Sequence, residues 1–316
     1  MKHTHIKNTL SGREKYMLRD LLRGTGVALV TPFNANGAVD FPALEKLINF
    51  VIEGGVQYVV TLGTTGETPT LSKSEKLDVI QCTFSSVAAR VPVVIGAGGN
   101  NTQELIKEIE SFPVEKAAAI LSASPYYNKP SQEGIFQHYK AIAQASVRPV
   151  ILYNVPGRTG SNMTPATVIR LANEVENISG IKEASGNMAQ CMQLLRDKPQ
   201  DFMVVSGDDN LALPQIAAGM DGVISVAANC FPKDFSTMVR AALNNDYTLA
   251  RSLNNMLMQG YDLLFAENNP AGVKAFLSEL GVIQNHLRMP LVALSTAIHT
   301  EVKQYLKTLH EKGMHV

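Results

Sequence analysis

The apolar segments of the chain, in their order and spacing, predict an α/β fold: a (β/α)8 TIM barrel with a C-terminal helical extension. Three observations carry that expectation. Short β-branched apolar runs recur about every 25–35 residues, separated by longer stretches with apolar residues three and four apart. The runs are continuously apolar, as strands of a parallel sheet buried on both faces must be. Near residue 245 the strand signals stop and the pattern becomes helical alone.

In chain order, strands are expected at residues 26–30, 58–62, 92–97, 118–122, 149–153, 178–183, 203–206 and 222–226. Between them, helical periodicity covers segments such as 41–53, 72–87, 102–112, 131–145 and 165–173, with Asp40, Ser72, Thr102 and Thr164 placed as N-caps. Repeated units of this length favour a closed barrel over an open doubly wound sheet. An open sheet would more often carry a Gly-rich nucleotide loop after its first strand, whereas Gly24-Thr25-Gly26 precedes it. Further helices are expected at 247–265, 271–279 and 294–309, punctuated by Pro270 and Pro290. No flexible linker precedes them, so they should pack on the barrel. The expected organisation is therefore a disordered tail over 1–20, a barrel over 21–244 and an extension over 245–316.

With 316 residues, 45% of them hydrophobic, the chain has ample material for a core. A formal net charge of zero gives no electrostatic reason to expect nucleic acid or an anionic membrane as partner. Apolar runs stay well short of the roughly 20 residues of a membrane span. Small molecules and copies of the chain itself are the expected partners. The first twenty residues lack a signal-like apolar stretch, so a cytoplasmic protein is expected, with Met17 a candidate start. Cys82, Cys191 and Cys230 are odd in number and far apart, which argues against a disulfide framework. His138, His286 and His299 show no metal-ligand spacing, and no metal is expected.

Unusual polar residues follow the strands at their C-terminal ends, the face on which barrels gather catalytic groups. They include Gly63-Thr64-Thr65-Gly66-Glu67, Ser124-Pro125-Tyr126-Tyr127-Asn128, Tyr153-Asn154-Val155-Pro156-Gly157-Arg158 and Ser206-Gly207-Asp208-Asp209. Lys182 is the sharpest single residue. Strand alternation sets it opposite Ile181, so that with Ile181 toward the helices Lys182 points into the barrel. Burial favours the neutral, nucleophilic form of an amine, which attacks ketones to give Schiff bases. The plain alternative is a lysine fraying into solvent. Tyr153, on the neighbouring strand, would bring a phenol able to relay protons, or would simply fill the core. Thr64 and Thr65 alone read as an ordinary turn, and Tyr126 and Tyr127 as an apolar lid or interface. Arg158 carries donors suited to a carboxylate, or is a solvated charge.

Together these motifs resemble the dihydrodipicolinate synthases, a family within the N-acetylneuraminate lyase superfamily. Thr31-Pro32-Phe33, Pro125-Tyr126-Tyr127-Asn128-Lys129-Pro130, Gly180-Ile181-Lys182-Glu183-Ala184-Ser185-Gly186 and Gly222-Val223-Ile224-Ser225-Val226 carry the resemblance with those above, from about residue 24 to 309. The resemblance implies that Lys182 condenses with pyruvate and that the enamine attacks the aldehyde of aspartate semialdehyde. It places Tyr153, Thr64 and Tyr127 in a proton relay, Tyr127 reaching across a subunit interface. It puts Thr65 on the pyruvate carboxylate, Ile224 and Gly207 beside the pyruvate pocket, and Arg158 on the carboxylate of the second substrate. It implies a homotetramer built as a dimer of dimers, and no cofactor, because the lysine supplies the electron sink.

Other members of the superfamily pair pyruvate differently. Sialic-acid lyases and keto-deoxy-sugar-acid aldolases or dehydratases usually have Ser-Thr where this chain has Thr64-Thr65, and generally lack an arginine matching Arg158. A non-catalytic keto-acid-binding regulator is a second alternative, one that would tend to lose the nucleophile or relay. In feedback-sensitive relatives lysine binds near the active-site tyrosines; the matching positions are Pro69, Lys73, Lys76, Asn100, Glu104 and Tyr126. Lys73 and Lys76 stand where sensitive enzymes commonly carry histidines. Extra ammonium groups near a cationic ligand imply weak or absent lysine inhibition.

Overall fold

Four to six mostly apolar residues are enough to cross a small barrel wall, and each strand of the computed structural model, which describes residues 12–315, has that length. In order they are β1 (Gly24–Ala28), β2 (Tyr58–Thr61), β3 (Val93–Gly96), β4 (Ala119–Ala123), β5 (Val150–Asn154), β6 (Ile178–Glu183), β7 (Met203–Ser206) and β8 (Gly222–Ser225). All pairs are parallel, and β8 returns to pair with β1, so the sheet is a closed barrel and not an open one. β1 lies two residues earlier than the apolar run 26–30. Leu29 and Val30 are buried beyond the strand, and an apolar run reports burial rather than strand pairing.

The helices begin where short polar side chains accept otherwise unpaired N–H groups. Asp40 accepts from Ala43 N, Thr164 from Thr167 N, and Ser72 forms a reciprocal capping box with Glu75. Thr102 does not cap. Asn101 does, accepting from Gln103 and Glu104, while the Thr102 hydroxyl pairs with His138 Nδ1 at 2.8 Å.

Strand alternation splits the apolar residues into two layers. Ile120, Leu152, Ile181 and Val204 face the helices, whereas Leu121, Ile151, Tyr153 and Val205 fill the barrel interior. The disordered tail expected over 1–20 is corrected where the structure describes it. Residues Gly12–Leu21 form a helix, its Leu18, with Leu22 just after its end, packing into the interior layer. Arg19 fastens this helix, donating to Asp221 Oδ1 and to the Gln200 carbonyl at 2.8 and 2.7 Å. Residues 1–11 and 316 lie outside the described residues.

Helix Tyr247–Phe265 packs against Pro232–Leu243, and helices Ala271–Glu279 and Thr296–Glu311 pack against Tyr247–Phe265 and each other. Phe231, Phe276 and Tyr305 meet edge to face at the centre of this cluster, with ring centroids 5.4–6.3 Å apart. Cys82, Cys191 and Cys230 are free thiols. Among the described residues no helix is long and apolar enough to cross a membrane.

Candidate active site

Alternation along β6 sends Lys182 inward and Glu183 outward. Glu183 is fully buried and accepts from Asn154 Nδ2 (3.0 and 3.1 Å), Gln190 Nε2 (3.1 Å) and Ser185 N (2.8 Å). These bonds tie the end of β6 to β5 and to the following helix, so the residue before Glu183 has a fixed direction. Lys182 is 5% exposed, and its Nζ lies 4.4 Å from the Tyr153 ring centroid, the two residues standing opposite in the β5–β6 register. Gly207 closes on the lysine from β7. A Cβ there would sit 3.0 Å from Lys182 Cε and 2.4 Å from Ala184 Cβ, so this backbone must be bare.

β2 runs into a single tight turn, Thr64–Gly66. Thr65 is buried, and its Oγ1 accepts from Asn269 Nδ2 at 2.9 Å. Thr64 is exposed. The Gly66 carbonyl accepts from Thr31 Oγ1 at 2.8 Å. The turn, Tyr153, Lys182, Gly207 and Arg158 line one cavity of about 430 Å³ at the C-terminal mouth of the barrel, with Val226, Phe265 and Asn269 completing the wall. Arg158 belongs to the short helix Pro156–Thr159, and its Nη2 is 3.5 Å from the Asn269 carbonyl.

Two carboxylates stand behind the lysine. Burial pushes Asp208 up to about 6, with Lys182 pulling the other way. Asp208 lines the cavity, and its Oδ2 has no hydrogen-bond partner among the described residues. Asp209 is fully buried, accepts from Ser225 Oγ (2.6 Å), Val226 N (3.1 Å) and Ala227 N (2.9 Å), and is also raised by burial. Asp209 is thus committed to holding β8, whereas Asp208 takes a backbone hydrogen bond from Gly186 and lines the cavity.

Not every expected residue converges. Ile224 is fully buried in the barrel interior, and it is Val226, two residues on, that reaches the cavity wall. Tyr127 does not line the cavity; it has a left-handed backbone (φ 68°) and is 88% exposed. The six positions matched to a lysine site divide between two hollows that share Gly98. Pro69, Lys76 and Tyr126 face the main cavity, whereas Lys73, Asn100 and Glu104 line a second one of about 300 Å³. Lys76 is ion-paired with Glu108, and Glu104 with Lys107.

Sequence reading passed over Asp208 as a binding group, although it lies in a quoted motif. It missed Asn269 because that residue is 204 positions from Thr65 and meets it through tertiary packing alone.

The model of the dihydrodipicolinate synthetase family matches residues 21–309. The 4-hydroxy-tetrahydrodipicolinate synthase of Azobacteroides pseudotrichonymphae is 50% identical over 290 residues, covering 92% of this chain and 98% of that one. The protein of the same name from Flavobacterium psychrophilum is 50% identical over 286 residues, with 90% and 98% covered. A crystal structure of the chloride-inhibited dihydrodipicolinate synthase from Acinetobacter baumannii, complexed with pyruvate, superposes with a TM-score of 0.88 at 42% identity, covering 90% of this chain and 98% of that one. A lysine buried at the barrel mouth and likeness over nearly the whole length agree: this chain belongs to the dihydrodipicolinate synthetase family.

Proposed function

We propose that this chain condenses pyruvate with aspartate semialdehyde to 4-hydroxy-tetrahydrodipicolinate through a Schiff base on Lys182. The observation that carries the reading is the buried Lys182 amine, held beside Tyr153 in a cavity that also presents Thr65 and Arg158. The amine adds to the pyruvate ketone, and the carbinolamine loses water to give an imine. Loss of a methyl proton makes the enamine, whose carbon attacks the aldehyde; the substrate's own amino group then adds to the regenerated imine carbon, closing the ring and expelling the Lys182 amine. Each step moves a proton, and the Tyr153 phenol is the group placed to carry it, with Thr64 at the cavity rim as the next link. Thr65 and the backbone N–H groups of its turn receive the pyruvate carboxylate.

Arg158 receives the carboxylate of the aldehyde substrate, and the Asp208 carboxylate, which lines the same cavity, its ammonium group. Such a pair of opposite charges suits an amino acid aldehyde and not a neutral sugar aldehyde, which favours this reaction over the sugar-acid alternatives. The exposure of Tyr127 supports its service in a neighbouring subunit's relay, and with it a homotetramer of paired dimers; the cytoplasm is the compartment we propose. Lysine inhibition is weak or absent. Lys76 is already neutralised by Glu108, so the repulsion of a cationic ligand falls chiefly to Lys73. Inhibition by sub-millimolar lysine would refute this.

The test is a coupled assay with pyruvate, aspartate semialdehyde, dihydrodipicolinate reductase and NADPH. NADPH oxidation should require both substrates and vanish in Lys182→Ala. Turnover with a sugar aldehyde instead would transfer the chain to the sugar-acid enzymes. Reversible pyruvate binding with no borohydride-trapped adduct would make it a regulator.

A further inference from the structure

The turn that carries Thr64 and Thr65 ends on a residue in an unusual state. Glu67 has a left-handed backbone (φ 53°), uncommon for a residue with a side chain, and its carboxylate is completely buried. A buried anion persists where it is paired. Lys274 Nζ lies 2.6 Å from Glu67 Oε1, and Arg288 N donates to Oε2 at 2.9 Å. Lys274 is equally buried; its Nζ donates to the His286 carbonyl at 2.8 Å and lies 4.1 Å over the Phe33 ring centroid. Arg288 lies 4.4 Å over the same ring and donates to the carbonyls of Gly37 and Thr70 and to Glu75. Glu67 joins Thr64–Gly66 to the next turn, Thr68–Thr70, and both turns supply cavity wall. Asn269, five residues before Lys274, holds Thr65 Oγ1.

We propose that Lys274 is a positioning residue for the pyruvate-carboxylate turn, fixing it through Glu67 while Asn269 fixes it through Thr65. One short segment of the C-terminal helices thereby sets the aim of the turn's N–H groups without touching substrate. The Lys182 side is held separately, by Glu183 and its partners. Loss of Lys274 therefore weakens pyruvate binding and spares the chemistry that follows. The inference rests on the Schiff-base reading of the site.

A proton dependence follows. Burial, with Arg288 adding to it, lowers Lys274 to about 8 against the pull of Glu67. Glu67 and Arg288 are the charged groups that face it; Glu75 is engaged by Arg288, and the His286 ring bonds to Gln284 instead. As pH rises through about 8 the ammonium loses its proton, Glu67 loses its cation, and the turn loosens.

The experiment measures pyruvate half-saturation of the borohydride-trapped Lys182 adduct, by intact-protein mass, from pH 7 to 9.5. Wild type, Lys274→Met, Lys274→Arg and Glu67→Gln are compared, with kcat taken at saturating pyruvate. Lys274→Met and Glu67→Gln should raise half-saturation roughly ten- to hundredfold while kcat falls far less. The wild-type value should climb above pH 8, and Lys274→Arg, whose charge does not titrate there, should flatten the climb. Unchanged half-saturation in a folded Lys274→Met or Glu67→Gln protein overturns the proposal. So does a wild-type profile without the climb, which needs no variant to fold. If wild type traps no adduct on Lys182, the reading of the site fails and this inference with it.

Discussion

Replacing Gly207 with alanine tests how tightly the reacting amine is held. The added carbon would lie 2.4 Å from Ala184 Cβ and 3.0 Å from Lys182 Cε. Carbon atoms rest at about 3.5–4.0 Å, so the first contact must open by more than about 1 Å and the second by roughly 0.5 Å. Ala184 has no flexible end to swing aside, and its N–H is bonded to the Asn154 carbonyl at 2.9 Å. The displacement therefore falls on Lys182 or on the end of β6, either of which moves the nitrogen. Overpacking of this kind costs about 1–3 kcal/mol in stability. A misplacement approaching 1 Å at a reacting atom costs on the order of 100-fold in rate, about 2.7 kcal/mol of barrier. Gly207→Ala should thus lose roughly two decades of kcat in the reductase-coupled assay and form the borohydride-trapped adduct correspondingly slowly, with a modest fall in Tm. A folded Gly207→Ala enzyme with wild-type kcat would refute the reasoning and show that the lysine has room to spare.

Other substitutions separate the remaining roles. Asp208, raised to about 6, gains a proton as pH falls through that value and loses the charge proposed to receive the ammonium. KM for aspartate semialdehyde should rise below pH 6, and Asp208→Asn should give a high, pH-independent value across that range. Arg158→Lys keeps the charge but not the planar fork, and should raise KM for the aldehyde about tenfold with pyruvate KM unchanged. Burial holds His138 down at about 4, against an ordinary 6.5. The unfolded chain binds that proton first, so stability is full above about 6.5 and is lost as pH falls toward 4, by up to roughly 3 kcal/mol. Urea unfolding of His138→Gln between pH 7 and 4 should show a shallower acid loss than wild type.

The elements most legible in the sequence were those whose burial and pairing coincide. The expected ranges for β6, β7 and the helix Phe41–Glu53 match the structure residue for residue. β1 did not, because Leu29 and Val30 are apolar for packing and not for the ladder. The N-terminal helix escaped notice because its residues are mostly polar and it is held from outside by Leu18 and Arg19. Lys182, Tyr153, Thr65 and Arg158 could be found because strand periodicity and strand ends place them. Asn269, Lys274 and Arg288 could not, since each reaches the site from sequence far away. Ile224 lies in the same interior layer as Tyr153, one alternation step below Val226 at the cavity wall.

The helix Gly12–Leu21 has a kinetic consequence. Leu18 and Leu22 stop the barrel from below, and Ile151, Met203 and Val205 fill its shaft, so among the described residues the chamber above Lys182 is a blind well with its mouth at the strands' C-terminal ends. Reactants enter and product leaves through that same mouth. The ketone that must reach the bottom has to arrive before the aldehyde that sits above it, and the aldehyde in excess becomes a cork. Substrate inhibition by aspartate semialdehyde, relieved by raising pyruvate, is the steady-state signature of such a one-door room.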